Sequence, residues 1–304
     1  MLRAFITGAT GVVGQVLLEH FTRPTITSRS REKAEQKLGN KVEEVIEWDP
    51  VSGLLPLTAD RAFDVVVNLM GESIAEGRWT AARKKRIRDS RVVGTRNLVQ
   101  SIKSWTTKPR VLISGSAVGI YGDRGDDWID ESAPSGVGFL SDVAREWEDA
   151  TKELEEVGVR VVLLRTGIVL SKHGGALAKM LPLYRRGLGG VLGNGQQWMP
   201  WIHENDLARL IVWLAESNQV SGPVNACVPN PVRNVEFNKQ LGSAVGKSAF
   251  LRVPAFALKI VVGEFATALL DSQRVRPKVA IDQNFNFQFE DVGTALADLV
   301  RESS

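Results

Sequence analysis

The sequence predicts an α/β protein with a doubly wound parallel sheet and a smaller C-terminal α+β lobe. In the first part of the chain, short apolar runs alternate with amphipathic helical segments, as in parallel strands joined by crossover helices. A glycine-rich turn follows the first apolar run directly, and a second glycine-dense stretch later interrupts the alternation. We therefore expect one domain from residues 1–171 plus 204–229, and a lobe from residues 172–203 plus 230–304.

The composition bounds the class of protein. Of 304 residues, 43% are hydrophobic and 24% are charged, which is typical of a globular chain. A net charge of +3 argues against a nucleic-acid surface, although a pI near 9.0 permits weak attraction of anions. The one cysteine, Cys227, excludes an internal disulfide and a cysteine metal cluster, and we expect it to be buried.

The sequence shows no signal for a membrane or a metal. No apolar run is as long as a membrane span, and no spacing of side chains indicates a metal site. The first strand begins at Leu2, which leaves no room for a signal peptide. We expect a cytoplasmic protein with neither a membrane nor a nucleic-acid partner.

The first element that carries chemistry is the turn between a strand at residues 2–7 and a helix from Val12 to Phe21. Gly8 allows a tight turn, Gly11 lets the backbone approach a pyrophosphate, and Gly14 lets the helix press onto the sheet. The helix start also favours a phosphate. A plain glycine-rich turn is the alternative, but the position at the first strand predicts a Rossmann-type dinucleotide site. Its expected contact residues are Gly8, Ala9, Thr10, Gly11, Val12 and Val13.

The end of the second strand, Thr25–Ser28, indicates which dinucleotide is bound. An acidic residue at this position would bind the ribose 2′-hydroxyl and repel a 2′-phosphate. The chain instead continues with Arg29 and Ser30, and the first carboxylate is Glu32. This favours NADP over NAD, with a solvated basic turn as the alternative. We expect Ser28, Arg29 and Ser30 to contact the cofactor.

The third and fourth strands extend the predicted sheet. Val42–Trp48 ends at Asp49, which either contacts the adenine amino group or starts a turn. Phe63–Gly71 is an unbroken apolar run, typical of a buried parallel strand. Because its carboxyl end lies beside the first strand in such a sheet, this end faces the ligand crevice. The expected cofactor contacts there are Leu69, Met70 and Gly71.

A long helix at Thr80–Ser104 is rich in arginine and lysine. We assign most of these side chains to a solvated face. Helical spacing places Arg86 and Arg91 nearest the crevice, within reach of a cofactor phosphate.

The fifth strand, Arg110–Gly115, ends in Ser114 and Gly115, and both are expected beside the cofactor. A helix at Phe139–Val157 and a strand at Val159–Leu170 follow. The end of that strand supplies the remaining expected cofactor contacts, which are Arg165, Thr166, Gly167 and Val169.

The C-terminal part is expected to fold over the crevice as a lobe. Asn205 or Asp206 caps a helix that runs to Glu216, and Pro223–Val228 returns to the sheet. The later predicted elements are a helix near Val235–Val245, a strand near Phe250–Val253, an apolar helix from Pro254 to Leu270, and a last strand–helix pair. Before the capped helix, three large side chains either stack on a ring-shaped substrate or pack between the lobes: Trp198, Met199 and Trp201.

Several of these motifs resemble the extended short-chain dehydrogenase/reductase group, which includes nucleotide-sugar epimerases and dehydratases. They are the turn at Thr7–Gly14, the serine-rich strand end at 114–122, and the late lobe. Others resemble one atypical branch, named epimerase-family or sugar-epimerase-like, some of whose members are labelled SulA-like cell-division inhibitors. These are Gly71-Glu72-Ser73-Ile74, Arg78-Trp79, Arg88-Asp89-Ser90-Arg91, Trp147-Glu148, Leu188-Gly189-Gly190, Leu192-Gly193-Asn194-Gly195, Trp201-Ile202-His203, Gly222-Pro223-Val224-Asn225-Ala226, Gln273-Arg274-Val275 and Pro277-Lys278. The resemblance covers nearly the whole chain and implies an NADP-binding fold.

The resemblance also implies a catalytic set. The larger group uses a serine or threonine with a Tyr-x-x-x-Lys pair on one helical face, where the ammonium lowers the phenol pKa. This chain has two tyrosines, Tyr121 and Tyr184, and neither starts that pattern. Phe139 and Val143 stand at the expected positions instead, as in the atypical branch. Ser116 matches the serine, with a strand-end hydroxyl bonded to the backbone as the alternative.

Two further side chains are candidate acid–base groups. Tyr121, the only tyrosine near the crevice, is either a surrogate catalyst or a side chain that lines the cofactor pocket. His203 is a candidate because an imidazole titrates near neutrality, although a histidine just before a helix is also a common structural residue.

Two functions remain open at this point. The first is an NADP(H)-dependent, epimerase-like oxidoreductase that acts on a small molecule such as a nucleotide sugar. The second is a cofactor-binding regulatory protein whose lobe contacts a partner from the division machinery, and the missing Tyr–Lys pair motivates it. From the larger group we also expect a homodimer through the helices at 80–104 and 139–157.

Overall fold

The computed structural model describes residues 2–57 and 60–301. In chain order its strands are β1 (Ala4–Thr7), β2 (Thr25–Ser28), β3 (Glu44–Glu47), β4 (Val65–Asn68), β5 (Val111–Ala117), β6 (Trp128–Ile129), β7 (Arg160–Thr166), β8 (Ile168–Leu170), β9 (Gly190–Leu192), β10 (Trp198–Met199), β11 (Trp201–His203), β12 (Gly222–Ala226), β13 (Val232–Arg233), β14 (Leu251–Val253) and β15 (Arg274–Val275). Its α-helices are α1 (Val12–Leu17), α2 (Arg31–Leu38), α3 (Ala81–Ser104), α4 (Phe139–Asp149), α5 (Gly175–Arg185), α6 (Glu204–Glu216), α7 (Asn234–Ala244), α8 (Ala255–Val262), α9 (Ala266–Leu270), α10 (Lys278–Asp282) and α11 (Val292–Val300).

Seven parallel strands form the central sheet, in the order β12-β7-β5-β4-β1-β2-β3. The chain builds outward from β1 in both directions, through β2 on one side and β4 on the other. Ligands bind at such a switch point, outside the carboxyl ends of the strands. The topology confirms the predicted doubly wound, Rossmann-type α/β class.

Strand residues alternate between two apolar layers because successive side chains point to opposite faces of the sheet. Ile6 and Ile113 belong to the core shared with α1 and α6. Phe5 and Leu112 belong to the core shared with α3. All four side chains are fully buried, and burial of each contributes about 1.5–3 kcal/mol relative to exposure.

The structure corrects the predicted strand at Val159–Leu170, which is two strands. The chain bends at Gly167, where a Cβ atom would lie 2.7 Å from the carbonyl oxygen of Pro200. β7 stays in the central sheet, whereas β8 leaves it and pairs with β11. The glycine that looked like part of a strand therefore ends β7, and the residues after it join a separate two-stranded sheet.

Three predicted helices are also shorter than expected. α1 ends at Leu17 rather than Phe21, and α4 ends at Asp149, after which a 3-10 helix covers Lys152–Val157. The apolar segment at 254–270 is divided at Gly263, whose φ of +66° ends α8. A positive φ is available to glycine at little cost, so this residue sets the break.

Further two-stranded sheets lie outside the central sheet: β9 pairs with β14, β10 with β13, and β15 with β6. No helix in the described part of the chain has the length and apolarity to cross a bilayer. Cys227 is buried, as expected. The limits of the two domains remain a prediction.

Candidate functional site

The glycine turn after β1 packs closely against the neighbouring backbone and presents uncapped N–H groups at the start of α1. Gly8 has φ +72°, and a Cβ atom there would lie 2.6 Å from the carbonyl oxygen of Leu69. A Cβ atom at Gly14 would lie 2.5 Å from the carbonyl oxygen of Gly8, so α1 can pack this closely on the turn only because residue 14 is a glycine. Gly11 precedes α1 without a side-chain cap, and the first-turn N–H groups have no side-chain partner. The turn fits a dinucleotide pyrophosphate.

The other predicted residues of the turn lie around this backbone. Ala9 is buried beneath it, whereas Thr10, Val12 and Val13 are partly exposed on it. The ammonium of Lys37 reaches over from α2 and donates to the carbonyl oxygen of Thr10 at 2.9 Å. Lys37 was not among the predicted contacts, and its place in the last turn of α2 gives no local signal in the sequence.

The end of β2 presents an unpaired cation. Arg29 is exposed and has no hydrogen bond or ion pair within the described residues. Its neighbours are engaged locally, since the hydroxyl of Ser28 accepts from the N–H of Ser30, and that of Ser30 caps α2 through the N–H of Lys33. A guanidinium without a carboxylate partner suits a phosphate. Asp49, by contrast, accepts hydrogen bonds within its own turn, which agrees with the turn alternative.

A buried amide joins the strands beneath the crevice. Asn68, at the end of β4, accepts from the hydroxyl of Thr7 at 2.8 Å and donates to those of Thr95 and Ser114 at 2.9 and 3.2 Å. The indole N–H of Trp147 also donates to Thr95, at 2.9 Å. This network fixes the strand ends that carry the candidate site.

The three residues after Asn68 line the crevice through their backbone. Leu69 continues the ladder by donating to the carbonyl oxygen of Thr7 at 3.2 Å, and Met70 is buried. A Cβ atom at Gly71 would lie 3.0 Å from the guanidinium carbon of Arg91. A Cβ atom at Gly115 would likewise lie 2.9 Å from the indole of Trp147.

The two arginines predicted to reach a cofactor phosphate are instead engaged with the loop after β4. Arg91 donates to the backbone carbonyl of Glu72 at 2.9 Å, and burial lowers its pKa to about 10 against the opposing charge of Glu72. Arg86 is exposed, with its Nε 3.4 Å from the carboxylate of Glu72. Arg83, one of the basic residues assigned to the solvated face, pairs with the same carboxylate. These arginines hold the loop, and phosphate binding by Arg86 or Arg91 remains a prediction.

Ser116 lies in a buried polar row that crosses three strands. In the sheet register Ser116 is opposite Arg165, and Arg165 is opposite Asn225. The hydroxyl of Ser116 donates to Glu148 of α4 at 2.6 Å rather than to the backbone. Arg165 holds the same carboxylate with two hydrogen bonds, each 2.9 Å long. A bidentate pair of this kind fixes Glu148 and thereby orients the serine.

Tyr121 is the second hydroxyl of this row. It donates to the side-chain oxygen of Asn225 at 2.7 Å and accepts from Arg165 at 3.0 Å. Burial raises its pKa to about 12, although Arg165 opposes the shift. A phenol that is fully buried and this weakly acidic does not suit a general base near neutral pH. The structure thus favours a structural role over the surrogate catalyst.

Glu131 completes the row from the segment after β6. One of its carboxylate oxygens accepts the backbone N–H groups of Asn225 and Val279, at 3.0 and 3.2 Å. The other oxygen is buried without a partner among the described residues. Burial raises the pKa of Glu131, and these N–H groups oppose the shift.

The positions where the resemblance implies tyrosine and lysine are filled by packing. Phe139 lies edge-on to Trp79, with ring centroids 5.1 Å apart, and the ammonium of Lys84 lies 5.1 Å over its ring. Val143 is buried one turn along α4. Neither position supplies an acid or a base.

His203 is a helix cap. Its Nδ1 accepts the N–H of Asn205 at 3.1 Å, so His203, rather than Asn205 or Asp206, caps α6. The ring is buried, stacks on Phe289 at 3.9 Å and places Nε2 3.3 Å from Asp298. Burial lowers its pKa against the opposing charge of Asp298. This geometry favours the structural alternative.

The side chain of Trp198 does not offer a free face to a substrate ring. The guanidinium groups of Arg233 and Arg274 lie 4.6 and 4.4 Å from its ring centroid, and Arg274 also lies 4.1 Å from Trp128. Its indole N–H donates to Asp126 at 2.8 Å. The neighbouring Trp201 is buried, and Met199 is partly buried against the core. The packing alternative holds for these side chains.

The last predicted contacts follow Arg165 along the chain. The hydroxyl of Thr166 donates to the carbonyl oxygen of Leu164 at 3.2 Å, Gly167 forms the bend, and Val169 packs against the core. Sequence reasoning missed the roles of Glu148, Glu131 and Asn225. Two of them stood within motifs of the resemblance, which was the available signal. No cluster of metal-binding side chains occurs within residues 2–57 and 60–301.

The fold and the glycine turn define a class of nucleotide-binding protein, and comparison with known families specifies it. Residues 4–227 match the model of the NAD dependent epimerase/dehydratase family, so the chain belongs to that family. Residues 253–299 match a second model, described as a domain of unknown function. The atypical branch suggested by the motifs is confirmed by the relatives that follow.

The chain is 38% identical to the chloroplastic SDR39U1 homolog of Arabidopsis thaliana, an epimerase family protein, over 97% of this chain and 86% of that protein. Human epimerase family protein SDR39U1, solved with NADPH, superposes with a TM-score of 0.88 at 30% identity, covering 98% and 99% of the two chains. A nucleoside-diphosphate sugar epimerase of Corynebacterium glutamicum superposes with a TM-score of 0.73 at 32% identity, over 98% of this chain and 58% of that one.

Proposed function

We propose that the chain is an NADP(H)-dependent, epimerase-like oxidoreductase that acts on a small molecule. The observation that carries the proposal is the glycine turn at Gly8–Gly14 beside the unpaired guanidinium of Arg29. The NADPH in the human SDR39U1 structure supports the cofactor. A nucleotide sugar is the substrate class that the name of the C. glutamicum relative supports.

In this proposal the reacting hydroxyl is that of Ser116 in the polar row, which takes the place of the missing Tyr–Lys pair. When bound, the nicotinamide supplies or accepts a hydride. Ser116 would hold the substrate oxygen. When the substrate gives up a hydride, Glu148, 2.6 Å away, would accept the proton of the serine as the serine receives one from the substrate, and in the reverse direction the same proton would return. Arg165 acts through Glu148 as a positioning residue, since its two hydrogen bonds keep the carboxylate in place.

Calorimetric titration with NADPH and NADH tests the cofactor. We expect the wild type to bind NADPH more tightly, and Arg29→Asp to reverse or remove the preference because a carboxylate repels the 2′-phosphate. Lys239→Asp is the matched control, since Lys239 is exposed on α7 and the charge change is the same. Equal affinities of the wild type for the two dinucleotides would contradict the NADP part of the proposal.

A screen of nucleotide sugars and small carbonyl compounds, followed by NADPH absorbance, tests turnover. Ser116→Ala should abolish any activity found while NADPH still binds. If a substrate is turned over by Ser116→Ala at the wild-type rate, the assigned role of the serine is wrong.

The second candidate is a cofactor-binding protein with little turnover. The packed Phe139 and Val143, which replace the acid–base pair, favour it. It predicts that Ser116→Ala retains full cellular function, whereas an enzyme would lose it. A cell-division partner has no support from the names of the relatives above.

A further inference from the structure

The C-terminal lobe exposes large apolar side chains in one part of its surface. The exposed fractions of Phe250, Phe256 and Ile260 are 73%, 68% and 66%. Phe250 and Phe256 are the two most exposed phenylalanines among the described residues. We call the set Leu188, Phe250, Leu251, Phe256 and Ile260 the lobe patch. Exposed apolar clusters on one face mark an interaction surface more often than single exposed residues do.

The backbone brings the members of the lobe patch together. Phe256 and Ile260 are one turn apart on α8, while Leu258 between them points inward and is buried. β14 pairs with β9 so that Leu251 is opposite Gly190, which brings the chain segments that carry Phe250 and Leu188 to the same end of this small sheet. α8 follows β14 after Pro254 alone.

Other residues of α8 and of the segment after it already pack against the protein, so the exposed side chains of the lobe patch do not belong to the core. Trp79 packs against Phe265 just after α8, with ring centroids 5.6 Å apart. Arg78 donates to the carbonyl oxygen of Ile260, and Lys84 pairs with Glu264. These contacts hold α8 and the residues after it against the protein, while the side chains of Phe256 and Ile260 remain exposed.

The charges around the lobe patch are positive. Lys247, Arg252 and Lys259 are exposed, and the sequence from 245 to 263 contains no aspartate or glutamate. Arg78 lies beside the C-terminal end of α8. Lys259 follows Phe256 by three positions, so its ammonium and the apolar side chains share one face of the helix.

This combination determines the occupant. A second copy of the chain docking with twofold symmetry would place the positive charges against their own equivalents, which costs free energy. The positive charge therefore favours an anionic partner. A cluster of exposed apolar side chains with lysine and arginine among them suits insertion into the boundary between headgroups and acyl chains.

We propose that the lobe patch docks the protein on the surface of a bilayer that contains anionic lipids. Phe250, Phe256 and Ile260 enter the interface, and Arg252, Lys259 and Lys247 contact the anionic headgroups. Peripheral docking needs no membrane-spanning helix, so it is compatible with the absence of one among the described helices. It does revise the expectation of no membrane partner. The proposal does not depend on the proposed enzymatic function.

Vesicle flotation of the full chain tests the proposal. The probes are vesicles of phosphatidylcholine alone and vesicles that also contain phosphatidylglycerol. We expect the protein to float with the anionic vesicles and to remain in solution with the neutral ones, and added salt to weaken the binding. A wild type that floats with neither, or equally with both, overturns the proposal.

Paired variants separate the apolar and charge contributions. Phe256→Ser with Ile260→Ser should weaken binding to anionic vesicles by about tenfold or more, because the bilayer then no longer buries these two apolar side chains. Leu54→Ser with Ile281→Ser is the control, since both side chains are exposed at 58% and 45% outside the lobe patch. Arg252→Glu with Lys259→Glu should abolish the preference for anionic lipid, and Lys33→Glu with Lys239→Glu should not.

Two further measurements keep the outcome clear. NADPH binding and the thermal midpoint of each variant show that it is folded. Light scattering shows whether the wild type self-associates. If Phe256→Ser with Ile260→Ser abolishes a dimer while the wild type never binds vesicles, the lobe patch is a contact between copies and the proposal is wrong. An acidic protein that binds the patch in the absence of any vesicle binding overturns it in the same way.

Discussion

Ser116 donates a 2.6 Å hydrogen bond to Glu148, across from the place where a tyrosine–lysine pair would stand in the larger group. The carboxylate is in turn held by Arg165, and all three side chains are buried. The Ser116–Glu148 pair links the end of β5 to α4. The same contacts therefore contribute to the stability of the fold and position the candidate reacting hydroxyl. The predictions below follow from this row and from the cofactor turn.

Glu148→Ala should destabilise the protein strongly. Removing one partner of a buried ion pair leaves Arg165 without its carboxylate and costs about 3–5 kcal/mol. Urea denaturation measures the loss. The matched control is Asp142→Ala, which breaks an exposed pair with Arg145 on the same helix and should cost less than about 1 kcal/mol. Similar losses for the two variants would contradict the buried-pair account.

Gly8→Ala should both destabilise the fold and prevent NADPH binding. The new Cβ would lie 2.6 Å from a carbonyl oxygen in a backbone conformation with φ +72°. Gly158→Ala is the control because it has a similar φ of +78° but open space around its Cβ. It should cost about 1–2 kcal/mol from conformational strain alone and leave NADPH binding intact. Gly8→Ala with wild-type affinity would show that the ligand does not bind at this turn.

Tyr121 should remain protonated well above neutral pH. The pKa values of Tyr121 and Tyr184 are both raised to about 12, mainly by burial. The native protein should therefore form no tyrosinate as the pH passes the ordinary tyrosine value of 10.0, as followed by ultraviolet absorbance. Because the unfolded chain loses these protons more readily, stability should fall as the pH rises above 10.0. Ionisation of one native tyrosine near neutrality would restore Tyr121 as a candidate base.

His203 should make the stability of the protein depend on pH below the ordinary histidine pKa of 6.5. Its pKa is lowered in the fold, so the unfolded chain binds the proton more tightly, and stability is lost as the pH falls below the ordinary value of 6.5. His203→Asn should reduce this slope while an amide oxygen preserves the cap. His203→Ala should also lose about 1 kcal/mol at neutral pH because the cap is gone. Denaturation curves at several pH values measure both effects, and an unchanged slope in His203→Asn would contradict the assignment.

Much of the fold was accessible from the sequence. The glycine spacing at Gly8–Gly14 and the unbroken apolar run of β4 each predict a local structure, and parallel strands with crossover helices leave few topologies. The break at Gly167 was missed because its cause is a close approach of Pro200, which lies far along the chain. A glycine inside an apolar run gives no sign of which backbone approaches it.

The candidate site was only partly accessible. Ser116 and Tyr121 were identified as polar groups at a strand end, but their partners follow from strand register and from the packing of α4. Glu148 stands on that helix, and its pairing with Arg165 depends on three-dimensional placement rather than on spacing. The same applies to His203, whose role as a cap depends on where α6 begins.

The central claim is that NADP(H) lies on the Gly8–Gly14 turn with its 2′-phosphate at Arg29. A crystal structure of the protein with NADPH tests it most directly. We expect the pyrophosphate against the backbone of the turn and the guanidinium of Arg29 within hydrogen-bond distance of the 2′-phosphate oxygens. A dinucleotide bound elsewhere, or a 2′-phosphate that faces solvent away from Arg29, would contradict the account.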